Sequence, residues 1–205
     1  MYLPKHFEEP STDILHALMD AVPLATLVTV GDDGLCADHV PLLLSPDPGP
    51  YGSLRGHVAR ANPLWRRAGT EVLAIFCGPD AYISPSWYAT KSETGKVVPT
   101  WNYVVAHASG TLTVYDDPNW LRAFLSALTE RHERTMPAPW SIDDAPAAYI
   151  DAQLKAIVGI EIPIARLIGK WKVSQNQPER NRQGVADGLR ACGRDALAEL
   201  VRKRA

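Results

Sequence analysis

The chain has 205 residues, a formal net charge of -2, 46% hydrophobic and 21% charged residues. This is ordinary globular usage, which excludes a disordered or fibrous chain and leaves no basic excess for holding nucleic acid across a broad face. The longest apolar runs, Val72 to Cys77 and Ile157 to Ile168, are bounded or broken long before the roughly 18 residues a membrane span needs. The length suits a single domain over 1–205.

From the N-terminus, Glu8 and Glu9 stand where a signal peptide would be apolar, which points to the cytoplasm. Ser11 or Thr12 caps a short amphipathic helix carrying Ile14, Leu15, Leu18 and Met19, and Pro23 stops it. Leu24 to Val30, the turn Gly31-Asp32-Asp33-Gly34 and Leu35 to Leu44 read as a β-hairpin. A Pro/Gly-rich surface loop, 45–52, precedes a strand at Ser53 to Val58. Asn62-Pro63 opens one helical turn, and Glu71 to Cys77 and Ala81 to Ser84 read as two strands about the turn Gly78-Pro79-Asp80. Thr100 to Tyr115 is a long strand region with a bulge or bend at Gly110.

The pattern then turns helical at Pro118 to Arg134 and around Pro146 to Leu154, returns to strand at Ala156 to Val173, and ends in two short helices over 179–204 separated near Gly193. Many strands followed by inserted helices, at 118–154 and 179–205, predict a mainly β fold: a β-barrel core with peripheral helices.

Three segments carry chemistry. In Gly56-His57-Val58-Ala59-Arg60-Ala61-Asn62-Pro63 a strand ends in His57 and Arg60 before a helix start, where the arginine fork and free N–H groups suit a phosphate. The same residues also read as a polar strand end with Asn62 as N-cap. In Tyr82-Ile83-Ser84-Pro85-Ser86-Trp87-Tyr88, with Lys91 and Val98-Pro99-Thr100-Trp101-Asn102-Tyr103, flat rings are gathered with hydroxyls, an amide and a cation. Such a set can wall an isoalloxazine, and it also reads as an aromatic core or dimer contact. Lys170-Trp171-Lys172-Val173-Ser174-Gln175-Asn176 can close over a ligand or cap a sheet edge.

Cys36, Cys77 and Cys192 lack CxxC spacing, and the six histidines show no HExxH, so no metal site is expected. No GxGxxG, GxxxxGK[ST] or GxSxG occurs, which ranks acyl and phosphoryl transfer low.

Taken in order, Tyr2-Leu3-Pro4-Lys5-His6-Phe7, GHVARANP, YISPSWY with Lys91, VPTWNY with His107, and KVSQN before Gly184-Val185 resemble the PaiB family over nearly the whole chain. Ser109, where an aromatic is expected, and Asn181, where an acid is expected, depart from that pattern. The resemblance implies an FMN-binding split β-barrel, a homodimer and a negative transcriptional regulator. It places FMN against His57, Arg60, Asn62, Ser84, Ser86, Trp87, Lys91, Thr100, Trp101 and Asn102: Arg60, Lys91 and the hydroxyls toward phosphate, Trp87, Trp101 and Asn102 toward the ring.

Three other readings stay open. A flavin-dependent oxidoreductase acting on a small substrate has His57 and His107 as general-base candidates by type only, so no catalytic residue is assigned. DNA is a partner only if the tail with Arg190, Arg194, Arg202, Lys203 and Arg204 is more than a solvated amphipathic helix. Heme would need an axial ligand that the sequence does not place.

Overall fold

The helix α1 (Thr12–Ala21) starts behind Ser11, whose Oγ accepts from the Ile14 N–H at 3.4 Å, and buries Leu15, Leu18 and Met19. These coordinates are a computed structural model describing residues 1–31 and 34–204. A two-residue strand, β1 (Glu8–Glu9), precedes α1. The expected hairpin is formed by β2 (Leu24–Gly31) and β3 (Gly34–Pro41), antiparallel from Leu24 opposite Pro41 to Gly31 opposite Gly34. Its predicted turn residues Asp32 and Asp33 lie outside the described residues. Next come β4 (Leu43–Ser45) and β5 (Ser53–Ala59), then a short 3-10 turn, Pro63–Arg67.

Here the chain departs from the sequence reading, because β6 (Glu71–Ile83) is one strand through Gly78-Pro79-Asp80 rather than two about a turn. The glycine supplies space rather than a turn: a β-carbon there would stand 2.8 Å from a Leu18 methyl and 3.2 Å from the Val104 β-carbon. After a 3-10 turn at Pro85–Trp87 and the four-residue α2 (Lys91–Thr94) come β7 (Thr100–Thr111) and β8 (Thr113–Tyr115). Leu112 separates them, its backbone bonding Thr70 and Gly69. Gly110 is required by close approach, since its β-carbon would come 2.0 Å from the Pro163 carbonyl oxygen.

The helices α3 (Pro118–Glu133) and α4 (Ala147–Lys155), the 16-residue β9 (Ile157–Lys172), and α5 (Glu179–Ala191) and α6 (Asp195–Lys203) complete the chain. Asp117 caps α3, accepting from the Asn119 N–H at 3.0 Å, with Pro118 in the first turn. Among the described residues nine strands pair in the order β3-β2-β6-β7-β9-β5-β4, with β1 and β8 also on β9. No helix there is long and apolar enough to cross a membrane.

Two compact units emerge, and β6, β7 and β9 contribute residues to each. The first comprises Met1–Leu18, Cys77–Ala106 and Ile168–Ala205. Its apolar interior includes Ile83, Val173, Val185, Leu189, Leu197 and Val201, so both C-terminal helices bury one face. The second comprises Met19–Phe76 and His107–Leu167, and includes Leu27, Leu54, Leu64, Phe76, Ile160 and Ile162 in its interior.

Candidate functional site

In the first unit the start of β7 and the end of β9 lie together, although their residues are 72 apart in sequence. The Asn102 amide Nδ2 donates to Ser174 Oγ at 2.9 Å, and Lys172 Nζ donates to Thr100 Oγ1 at 2.6 Å and to the Trp101 carbonyl. These residues wall a cavity of about 220 Å³ together with Phe7, Tyr88, Val98, Pro99, Asn176 and Gln177.

Two features set this wall apart from an ordinary sheet edge. Asn102 is 1% exposed, and its Oδ1 has no hydrogen-bond partner. A buried acceptor left so costs about 1–3 kcal/mol, which a ligand donor would recover. Ser174, two residues past the end of β9, holds φ at 67°, the left-handed region that a side chain disfavours, and Gln175 ties the bend by accepting from the Val173 N–H and donating to the Trp171 carbonyl.

Lys172 carries the full positive charge of the wall, and among the described residues no carboxylate pairs with it. Burial, and then the charge of Lys170 two residues away, lower its pKa below the ordinary lysine value. Lys170 is buried, bonds the Tyr2 carbonyl at 3.0 Å and sits over the rings of Tyr2 and Tyr103.

The serine-rich part of the expected set also falls in the first unit. Ser84 Oγ accepts from the Ser86 N–H at 3.1 Å, and Lys91 Nζ donates to Ser86 Oγ at 3.0 Å, with Ser86 and Lys91 exposed. Trp101 is 54% exposed and meets the half-exposed Tyr82 edge to face. Trp87 lies against α5, where a β-carbon at Gly188 would come 2.3 Å from its ring and one at Gly184 2.0 Å from its carbonyl oxygen. Asn181 is buried, accepting from the Thr90 N–H and donating to Thr90 Oγ1 and Gln177 Oε1. An acid there would lack those two donors, which accounts for the amide.

In the second unit His57, Arg60 and Asn62 are used by the protein itself. Arg60 donates to both carboxylate oxygens of Asp116, at 2.8 and 2.5 Å, and to the carbonyls of Lys155 and Ile157. Asn62 Oδ1 accepts from the Leu64 N–H at 2.8 Å, while Nδ2 donates to Asp38 at 2.7 Å. His57 is half-buried beside Phe124, and burial lowers its pKa. A larger cavity of about 590 Å³ is lined by Arg60, Asp116, Leu121, Asp151 and Lys155 among others, and its Asp151 pairs with Arg122 at 2.9 Å.

In the tail, Arg190 pairs with Glu199 at 2.6 Å, and Arg204 pairs with buried Glu9 and lies over Trp171. These two charges serve the fold. Lys172, Ser174, Tyr88 and Gln177 were absent from the expected set; the run KVSQN was the signal for Lys172 and Ser174, Gln177 stands just after it, and Tyr88 closes YISPSWY.

A mainly antiparallel barrel with an open polar wall is the architecture of split-barrel flavoproteins, and solved structures agree. The FAD and heme binding protein from Mycobacterium smegmatis superposes with a TM-score of 0.61 at 21% identity, over 80% of this chain and 73% of that one. The flavocytochrome Anf3 from Azotobacter vinelandii does so with a TM-score of 0.56 at 15% identity, over 83% and 72%. The fold is the split β-barrel.

Residues 1–166 match the family model described as "Putative FMN-binding domain", and the chain belongs to that family. Its relatives include the Bacillus subtilis protease synthase and sporulation protein PAI 2, 31% identical over 92% of this chain and 89% of that protein. An uncharacterised protein of Emericella nidulans is 34% identical over 100% of this chain and 97% of its own length. This is the PaiB family, and FMN is the cofactor that membership assigns.

Proposed function

We propose that the chain is an FMN-binding regulatory protein working as a homodimer in the cytoplasm, with Thr100, Asn102, Lys172 and Ser174 as the wall that takes the flavin. The observation that carries this reading is the buried, unpartnered Oδ1 of Asn102 beside a lysine with no carboxylate. The residues fit the group: Asn102 offers an acceptor for a flavin N–H, Lys172 and Thr100 offer donors for carbonyl oxygens, and Tyr88 and Val98 offer apolar surface. The cofactor supplies a redox-active ring; the protein's part is to orient it and set its electrostatics.

Ser86 and Lys91 are assigned to the phosphate, with Ser84 shaping their turn. Arg60 is left to Asp116, His57 to the aromatic packing of the second unit, and Asn62 to its helical cap. Trp87 anchors α5, and Trp101 presents a ring to solvent or to a second copy.

A cavity of about 220 Å³ is smaller than the roughly 300–1,000 Å³ of sites that bury a cofactor. A second copy set against exposed Tyr82, Val98 and Trp101 would complete it, which supports the homodimer. The name of the Bacillus relative connects that protein to protease synthesis and sporulation. That name supports regulation over turnover.

Titration of the purified protein with FMN, followed by flavin fluorescence, tests the binding: the wild type saturates, and Asn102→Ala binds more weakly. Absence of binding by the wild type overturns the reading. For the regulatory role, a deletion strain is complemented by the wild type but not by Asn102→Ala in its transcript profile. Sustained NADH or NADPH oxidation by the FMN-loaded protein would instead make it an oxidoreductase.

A further inference from the structure

We infer that the pocket selects the redox state of its flavin: Lys172 makes it hold reduced FMN more tightly than oxidised FMN, so that occupancy follows the reducing state of the surroundings. This rests on the FMN reading above and adds a direction to it.

The orientation comes from the unpartnered atom. Asn102 Oδ1 is an acceptor with no partner among the described residues, while Nδ2 donates one of its two N–H groups to Ser174. A phosphate dianion has no proton to give it. The pyrimidine edge of an isoalloxazine does, at N3–H, with a carbonyl oxygen on either side to accept from donors such as Lys172 and Thr100.

At that edge the two redox states differ in charge. Oxidised isoalloxazine is neutral there, whereas the reduced ring is acidic at N1 and carries negative charge shared with the neighbouring carbonyl. Lys172 meets this edge with a positive charge that no carboxylate offsets, and buried Lys170 adds to the field from two residues away. Since Asn102 bonds N3–H in both states, it favours neither. Lys172 interacts more strongly with one, and only such a difference shifts an equilibrium.

The full-length protein tests this through two measured quantities, the Kd for oxidised FMN and the midpoint potential of bound FMN against a reference dye. Wild-type protein should raise the potential above that of free FMN. Lys172→Gln keeps a donor and loses the charge. It should weaken binding of both forms, the reduced form about tenfold more, which lowers the potential by about 30 mV for two electrons. Lys172→Arg keeps the charge and should stay close to the wild type. Asn102→Ala should weaken both forms alike and leave the potential in place.

A wild-type potential at or below that of free FMN overturns the inference, and that measurement needs no variant to fold. Equal weakening of both forms in Lys172→Gln also overturns it, while leaving FMN binding intact. Failure of the wild type to bind FMN in either state is the separate result that removes the binding reading itself.

Discussion

Each unit holds a buried polar cluster, and the two clusters are built in opposite ways. In the second, Glu161 is buried and accepts from Ser53 Oγ at 3.0 Å and Arg55 Nε at 2.8 Å, with Tyr115 as a further donor, and its pKa stays below the ordinary value although burial alone would raise it. At the surface of that unit Arg60 closes on Asp116. In the first unit Asn102 keeps an empty acceptor and Lys172 an unmatched charge. Networks that satisfy themselves hold a fold together, whereas groups left open at a stability cost mark where something else is to bind.

Breaking the closed network should give the largest effect, and on stability alone. Glu161→Ala strands Arg55 and Ser53 and should cost about 2–3 kcal/mol in denaturant unfolding, with Arg55 partly relieved by water. Its FMN affinity, corrected for the folded fraction, should remain within about twofold, the scatter expected where no bonding partner is shared with the wall.

The open wall should behave the other way round. Asn102→Leu removes an unpartnered acceptor together with the donor to Ser174 Oγ, so the ligand-free protein should lose no more than about 1 kcal/mol, while FMN affinity falls by about tenfold or more, the loss of one hydrogen bond of about 1.5 kcal/mol. A larger loss of stability with intact affinity would place Asn102 in the fold rather than the site.

Arg60→Ala separates the two units' claims on phosphate. The melting temperature should fall because Asp116 and two carbonyls lose their donors, and FMN affinity should hold. A clear loss of affinity would return Arg60 to the binding set.

The smallest effect is on pH. Burial holds the His57 and His107 pKa values below 6.5, so below pH 6.5 the unfolded chain takes up protons that the folded chain refuses. Stability is therefore complete above pH 6.5 and declines as pH falls through the window down to the folded values. Thermal melts of His57→Asn should show a shallower decline over that window.

Much of the fold was legible locally. The caps at Ser11 and Asn62, the hairpin β2–β3, α3 with Pro118 in its first turn, and the C-terminal pair α5 and α6 all follow from residue type and spacing. Gly78-Pro79-Asp80 misled, because a glycine admitting a neighbour and a glycine making a turn look identical in a chain read one residue at a time. Arg60 reads as a phosphate ligand in the sequence, while in the fold its fork closes on Asp116, 56 residues away, because the geometry that suits phosphate also suits a carboxylate.

By itself the sequence determined most of the strands and helices in their order, because periodicity and caps are local properties of the chain, and its ordered motifs carried the resemblance that implies the family and its cofactor. Only the tertiary structure decided which of the polar residues are spent and which are open. It brought Asn102 to Ser174 and Thr100 to Lys172 across 72 residues, turned Ser174 into the left-handed backbone, and left one amide oxygen buried without a donor. Whether a hydrogen-bonding group is satisfied depends on what the fold places within about 3 Å of it, and no spacing along the chain records that distance.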